Sequence, residues 1–470
     1  MGARVVELRR AVPLAIGGAL AALACGHEAS AQSPDSPSFY AGAPSFLHSS
    51  MAITRARAGI DVMPGISPLF DGVRTPHDFN LWAPQPYPVA GGEPMSLIGF
   101  DPFEVPLTPG RNIEKWAKSQ FALRMDLYDM VVYQASTYAQ PGYSDTSGIN
   151  RLNVRGDLKL WDFGGGAVGR FTAQYRYNTQ FPNDISEGTK VGTDVSINSE
   201  WTGFENRIVR FKYEQGFFDN NLTFVVGKIN PNDYLLNIEF ASDETSQFLA
   251  SIFDGTDVPA SGFEGFMLGT GLLFTPMPGI YLNAIATNPT TSQAADLGLN
   301  YLDSGLWWFG TELGLITAFA DESLPGNIAV GFNTTNASYT STSSADAVNG
   351  SGFWLYGSQY LTTDLGVFAQ IGYTDPSVAA YSQEATAGIS LENCFGRAND
   401  GFGAAIGFSV APQADLGTQM TFETYYRLQV TSSLQITADI QVIDHPVQPL
   451  QGTSSDQTMV VFGVRAIVRF

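Results

Sequence analysis

Apolar and polar residues exchange places every second position through most of this chain. The last thirteen residues, Thr458 to Phe470, show it most cleanly. Val460, Phe462, Val464, Ala466, Val468 and Phe470 make one apolar row, and Val461, Gly463, Arg465, Ile467 and Arg469 make the other. Side chains alternate across a strand, so one face of this segment suits a greasy solvent and the other suits water. Leu123, Met125 and Leu127 alternate with Arg124, Asp126 and Tyr128, and Leu152 to Leu158 alternate with Asn153, Arg155, Asp157 and Lys159. Phe171 to Tyr177 alternate with Arg170, Thr172, Gln174, Arg176 and Asn178, and Val209, Phe211 and Tyr213 with Arg210, Lys212 and Glu214. The same pattern covers Phe422 to Leu428 and Leu434 to Ile440. About sixteen such segments run from Gln120 to the end, an even number, as a single-chain transmembrane β-barrel requires.

The connections sharpen this reading, because short ones alternate with long ones. Trp161 to Gly165, Phe217 to Asn221, Thr275 to Gly279, Thr362 to Asp364, Arg397 to Gly401 and Thr431 to Ser433 read as tight turns. Between them lie Pro141 to Gly148, Thr179 to Gly203, Ile229 to Gly262, Pro289 to Ser304, Thr334 to Gly350 and Ile443 to Gln457, all long and polar. Short periplasmic turns and longer outer loops are the outer-membrane arrangement, and a soluble sandwich has no reason to sort its loops by parity. The pattern predicts an all-β antiparallel barrel over residues 119–470, with Trp307, Trp308, Trp354, Tyr356, Tyr425 and Tyr426 as candidate interface girdles. Residues 32–118 are rich in Pro, Ser, Gly and Ala without a period. They read as an irregular segment with a short helix near Asn112 to Lys118.

The N-terminus reads as a secretory signal peptide over residues 1–31. Arg4, Arg9 and Arg10 precede an apolar run from Val12 to Leu23, then Ala29-Ser30-Ala31 before Gln32. Beyond it no apolar run reaches the roughly 20 residues of a spanning helix. The 470 residues carry 24 basic and 45 acidic side chains, a net −21, and losing the leader with its three arginines and two glutamates makes this −22. Such an acidic chain is a poor partner for nucleic acid. Only Cys394 remains after cleavage, which leaves no internal disulfide and no multi-cysteine zinc site, and no cofactor is implied. Hydrolytic chemistry would want a histidine beside a Ser or Cys. His48 and His77 lie in the irregular segment and His445 at a strand end, so an enzyme is disfavoured.

Sixteen strands leave a water-filled bore, with selectivity set by its lining. The stretch Arg210 to Phe253 resembles the carbohydrate-selective outer-membrane porins, the OprB family. The shared residues are Glu214, Gln215 and Phe217, then Gly227 and Lys228, then Asn230, Asn232 and Asp233, then Phe240, Ala241, Asp243, Glu244, Thr245, Gln247 and Phe248. Glu423 to Arg427, Leu434 to Val442 with Asp439 and Gln441, Gly463 to Arg465 and the final Phe470 are similar to the family's closing strands. The resemblance implies passive diffusion of small sugars through an eyelet shaped by inward-folded loops, in a bacterial outer membrane. Outer-membrane lipids, the barrel assembly machinery and transported sugars are the implied partners, with the protein a monomer or a trimer. A general or anion-selective porin is the rival reading. Tyr128 and Trp161 share parity with the polar rows and are candidates to face a sugar ring.

No lysine or arginine occurs between Lys228 and Arg397, a gap of 168 residues. Arg124, Arg155, Lys159, Arg170, Arg176, Arg210 and Lys212 precede it in polar rows, and Arg427, Arg465 and Arg469 follow it. Closure makes the last strand a neighbour of the first, so these cations should form one basic wall. The loop Ile229 to Gly262 should face it, with Asp243 and Glu244 as the opposing acids and a transverse field across the bore. Arg124, Arg155, Arg170, Arg176, Arg210, Lys212, Arg427 and Arg465 with Asp243 and Glu244 are the candidate pore-lining residues.

Overall fold

The computed structural model describes residue 97 and residues 101–470, apart from 163–167, 182–190, 199–204, 219, 244, 255–264, 278, 320–323, 338–348 and 398. The signal peptide, most of the segment 32–118 and Glu244 therefore lie outside the described residues. A helix α1 (Glu104–Phe121) leads into β1 (Leu123–Ser136), β2 (Thr146–Asp162), β3 (Val168–Phe181), β4 (Glu205–Phe217) and β5 (Leu222–Ile229). The chain continues through β6 (Met267–Met277), β7 (Ile280–Asn288), β8 (Trp308–Phe319), β9 (Leu324–Thr335), β10 (Gly350–Tyr360) and β11 (Leu365–Thr374). It ends with β12 (Gln383–Glu392), β13 (Gly401–Val410), β14 (Thr418–Gln429), β15 (Leu434–Asp444), a small hairpin β16 (Val447–Gln448) and β17 (Thr453–Ser454), and β18 (Thr458–Arg469). β1 to β15 and β18 form a closed antiparallel barrel of 16 strands among the described residues. β1 closes it on β18, from Tyr128 opposite Arg469 to Ser136 opposite Val461.

The barrel closes because no sheet edge can be left open in lipid. Along the strands the outward row is apolar and exposed, as with Leu313 and Leu315 on β8, Ile328, Val330 and Phe332 on β9, and Phe353 and Leu355 on β10. The inward row of the same strands is buried. On β18 the alternation falls as the sequence predicts, with Arg465 and Ile467 turned in. The short connections gather with both barrel termini at one end, the periplasmic end by the outer-membrane rule.

Three expectations need correction. The helix before the barrel is not confined to a short stretch near 112–118 but spans 18 residues, Glu104–Phe121. It passes through Pro109, which removes one internal hydrogen bond without ending it. Trp308, Trp354, Tyr356 and Tyr425 are not a girdle, since all four are buried inside the barrel. Trp307 and Tyr426 keep their outward positions, the first exposed and the second half-buried. Trp161 leaves the polar row, because the register shifts between Lys159 and Trp161 and pairs it with Gly169 on the lipid side. There its indole donates to Gln215 and packs on Tyr213, 5.8 Å between centroids. Tyr128 does point inward, buried against Leu249 and Ile467.

Candidate functional site: an inward loop on a basic wall

The loop after β5 folds into the bore and is tied to strands all round it. Its first turn, Pro231–Asp233, is capped by the Asn230 side chain, which accepts from the Asn232 N–H. This turn presents Asp233 to β4. Arg210 grips the carboxylate with Nε at 2.8 Å and Nη2 at 2.5 Å, and Lys212 lies 3.7 Å away. Lys212 also donates to Tyr234 Oη at 2.6 Å and pairs with Glu214 at 2.9 Å, while Tyr234 Oη donates to Glu214 at 2.7 Å. All five side chains are buried. Planar guanidinium and carboxylate match in a two-bond fork, which fixes orientation as well as charge.

The next anchor is on the opposite arc. Glu312 of β8 accepts from the Leu236 N–H at 2.7 Å and from Trp354 Nε1 at 2.8 Å through one oxygen. Its other oxygen accepts from Tyr281 and Tyr356 at 2.9 and 3.1 Å. Asn283 of β7 donates to Tyr234 O at 2.7 Å. Further along, Phe240 stacks edge-on against Tyr360, 4.6 Å between centroids, and lies over Gly366, where any Cβ would sit 2.2 Å from the ring. Glycine on this inward row lets the loop approach the wall. The loop then turns and meets β14 and β18. Arg427 and Arg465 donate to Ser246 O at 3.2 Å and Gln247 O at 2.9 Å, and Arg469 to Thr245 Oγ1 at 3.4 Å. Glu423 of β14 accepts from the Leu249 and Ala250 N–H groups at 2.6 and 2.8 Å. Charged wall residues thus satisfy loop backbone groups that water would otherwise serve.

Strand order puts β14, β15, β18, β1, β2, β3 and β4 side by side, so the barrel cations stand on one contiguous arc. Arg124 and Arg170 are half-buried on its inner face, and Arg155 forms a bidentate pair with Asp157 of its own strand at 2.8 and 2.9 Å. Arg176, Arg210, Lys212, Arg427 and Arg465 are buried, seated under the loop or against neighbouring strands. Asp243 does not face this wall with a free carboxylate. It closes its own turn, accepting from Thr245 N–H and Oγ1 at 3.0 and 2.6 Å and from Ser246 Oγ at 2.5 Å. The loop acid that bonds the cations directly is Asp233, ten residues earlier, while Asp243 acts on Arg465 only through its field. Glu244 lies outside the described residues.

Two arginines belong with this arc although no alternating row exposed them. Arg151 extends the inward row of β2, is buried and donates to Asn178 at 2.9 Å. Arg207 has the parity of the apolar row, but a register shift at Val209 turns it inward opposite Arg176. The guanidinium groups of Arg176, Arg207 and Arg210 lie 5.0, 5.5 and 5.1 Å from the centre of the Phe266 ring. Its π-face is a favourable seat for cations that would otherwise repel. The signal available was Arg207 itself, since an arginine on the lipid face of a strand is costly.

A sixteen-strand transmembrane barrel narrowed by a loop fastened across its lumen is the architecture of a porin. Residues 170–470 match the model of the carbohydrate-selective porin, OprB family, and the chain belongs to that family. The structure is similar to the high-pH structure of Pseudomonas putida OprB, with a TM-score of 0.63 at 15% identity, covering 77% of this chain and 97% of that one. Against the low-pH structure of the same protein the TM-score is 0.48 at 13% identity, covering 80% and 98%. No curated protein sequence matches this one. The chain is a sugar-preferring outer-membrane porin, a channel rather than an enzyme.

Proposed function

We propose that small neutral sugars cross the lumen beside the docked loop, past the half-buried cations of the basic arc, and that the arc selects them in two ways. Arg210, Lys212, Arg427 and Arg465 hold the loop. The half-buried Arg124 and Arg170 present donors to sugar hydroxyls, with the facing loop supplying the opposite rim. The observation that carries this reading is the fastening of one loop to both arcs, by Asp233 to Arg210 of β4 and by the Leu236 N–H to Glu312 of β8. It sets a fixed gap with cations on one side only. In the same reading the mature chain starts at Gln32 after leader cleavage, and the assembly machinery reads Phe470 on the way into the membrane.

Planar-bilayer currents with added sugar test it. Arg170→Ala weakens sugar block and moves ion selectivity toward cations while conductance stays near wild type. Arg210→Ala changes both block and conductance, because the loop loosens. Permeation of sugars and ions by size alone, unaltered in both variants, would make this a general porin. N-terminal sequencing of the outer-membrane fraction tests the start at Gln32.

A further inference from the structure

Helix α1 has two apolar sides, and among the described residues only one of them is covered by protein. Leu107 and Ala117 are buried, with Gly110 and Glu114 half-buried between them on the same side. Leu107 packs with Phe103, Val430 and Ile436 onto Leu434 of β15 and Val468 of β18. Leu434 and Val468 belong to the lipid-facing rows of their strands, so the helix sits where acyl chains would otherwise touch the barrel. It is moored there by Arg111, which donates to Ser433 Oγ in the β14–β15 turn, and by Asp101, which accepts from Ser432 and Ser433. At its far end Phe121 passes through Ala122 directly into Leu123, the first residue of the lipid-facing row of β1.

The opposite side carries Val105, Pro109, Ile113 and Trp116, at positions that share one face of a helix. Val105 is 82% exposed, Ile113 55%, Trp116 56% and the neighbouring Phe121 55%. The Trp116 and Phe121 rings meet edge-on at 5.2 Å. Residues 111–118 hold Arg111, Lys115 and Lys118 against a single carboxylate, Glu114, in a chain of net charge −21. The cations lie on the flank between the covered side and the exposed stripe. An exposed apolar stripe continuous with a lipid-facing belt, edged with cations and ending in aromatic rings, has the chemistry of a helix lying in a membrane interface.

We infer that α1 is a lipid anchor: it lies in the periplasmic leaflet of the outer membrane, with Val105, Ile113, Trp116 and Phe121 among the acyl chains. Lys115 and Lys118 then reach anionic phospholipid headgroups. The anchor binds lipid beside the β15–β18–β1 seam.

The test uses the full mature protein in vesicles of phosphatidylcholine with or without phosphatidylglycerol, each made with brominated acyl chains. The difference in tryptophan fluorescence between wild type and Trp116→Phe isolates the Trp116 signal. That signal is quenched by bromolipid and shielded from iodide, more so with phosphatidylglycerol. Lys115→Gln and Lys118→Gln each weaken the phosphatidylglycerol-dependent part roughly fivefold. Heat-modifiability on gels shows the barrel intact in every variant. A Trp116 signal open to iodide and blind to bromolipid overturns the anchor. So does one shielded equally in detergent with the protein running as an oligomer, which would assign the stripe to a second copy. Quenching that ignores both headgroup charge and the lysines would remove the anionic headgroups from the proposal.

Discussion

Glu312 gives the sharpest test of how the loop is held. Four donors converge on its carboxylate, and no ion pair to it is formed among the described residues. In Glu312→Ala the Tyr281 and Tyr356 hydroxyls keep each other at 3.3 Å and Asn327 at 3.1 Å. The Leu236 N–H and the Trp354 indole lose their acceptor. A buried donor left unmade costs about 1–3 kcal/mol. The Trp354 share falls on the barrel wall, and only the Leu236 share acts on the docked loop. That share alone moves the docking equilibrium by roughly 5–150-fold. Glu312→Gln can keep an acceptor toward Leu236 and Trp354 and turn its amide to the tyrosine oxygens, so it loses charge assistance but orphans nothing. Hydrogen exchange at the Leu236 amide should rank Ala above Gln above wild type, and open-channel noise and loss of sugar block should follow that order. Exchange and block in Glu312→Ala equal to wild type would refute the claim that this carboxylate fastens the loop.

Three further outcomes follow from other contacts. Asp233→Asn takes the carboxylate from buried Arg210 while Lys212 keeps Glu214, a loss of at most about 3–5 kcal/mol; single-channel recordings should show a looser loop and selectivity moved toward anions. Burial works to raise the Asp101 carboxyl, but the hydroxyls of Ser432 and Ser433 and the Phe103 N–H outweigh it and hold it below its ordinary 3.8. A depressed acid stabilises docking in full above 3.8, and the stabilisation is lost as pH falls through the lower docked-state value. Protection of the Leu97 amide relative to its intrinsic exchange rate, with its N–H bonded to Val430 O at 2.9 Å, should therefore fall only below pH 3.8 in wild type and already be lower at neutral pH in Asp101→Asn. Deleting Phe470, whose N–H bonds Leu127 O at 3.0 Å across the closing seam, should lower the yield of heat-modifiable barrel and leave the pore properties of assembled protein unchanged.

The barrel was legible in the sequence because lipid imposes a period of two on every strand, and the parity of loop lengths carries the direction of each crossing. What escaped was set by backbone irregularity or by the interior. One bulge turns Trp161 out and another turns Arg207 in, and neither leaves a mark in a period-two reading. Trp354 and Tyr356 look like membrane aromatics, yet they serve a carboxylate in the lumen, because a bore filled by a loop is itself a hydrophobic core. Asp233 was visible within the Asn/Asp-rich stretch after β5, but only the 3-10 turn at Pro231 shows that it, and not Asp243, meets Arg210. Asp243 was the more conspicuous acid and is consumed by its own turn.

The distribution of cations explains why the loop uses two kinds of anchor. On the arc from β14 through β18 to β4, guanidinium and ammonium groups are at hand, so the loop offers Asp233 and backbone carbonyls. Across the gap between Lys228 and Arg397 the strands supply no cation, and there the loop offers a backbone N–H to a wall carboxylate, Glu312. Glu423 does the same for two N–H groups where β14 meets the basic arc. Along the loop backbone, carbonyls therefore meet guanidinium or amide donors and N–H groups meet carboxylates, on whichever arc the strands supply them. Reversing the charge of these wall groups would leave buried loop groups unmatched, so the charges on the wall specify how the loop docks.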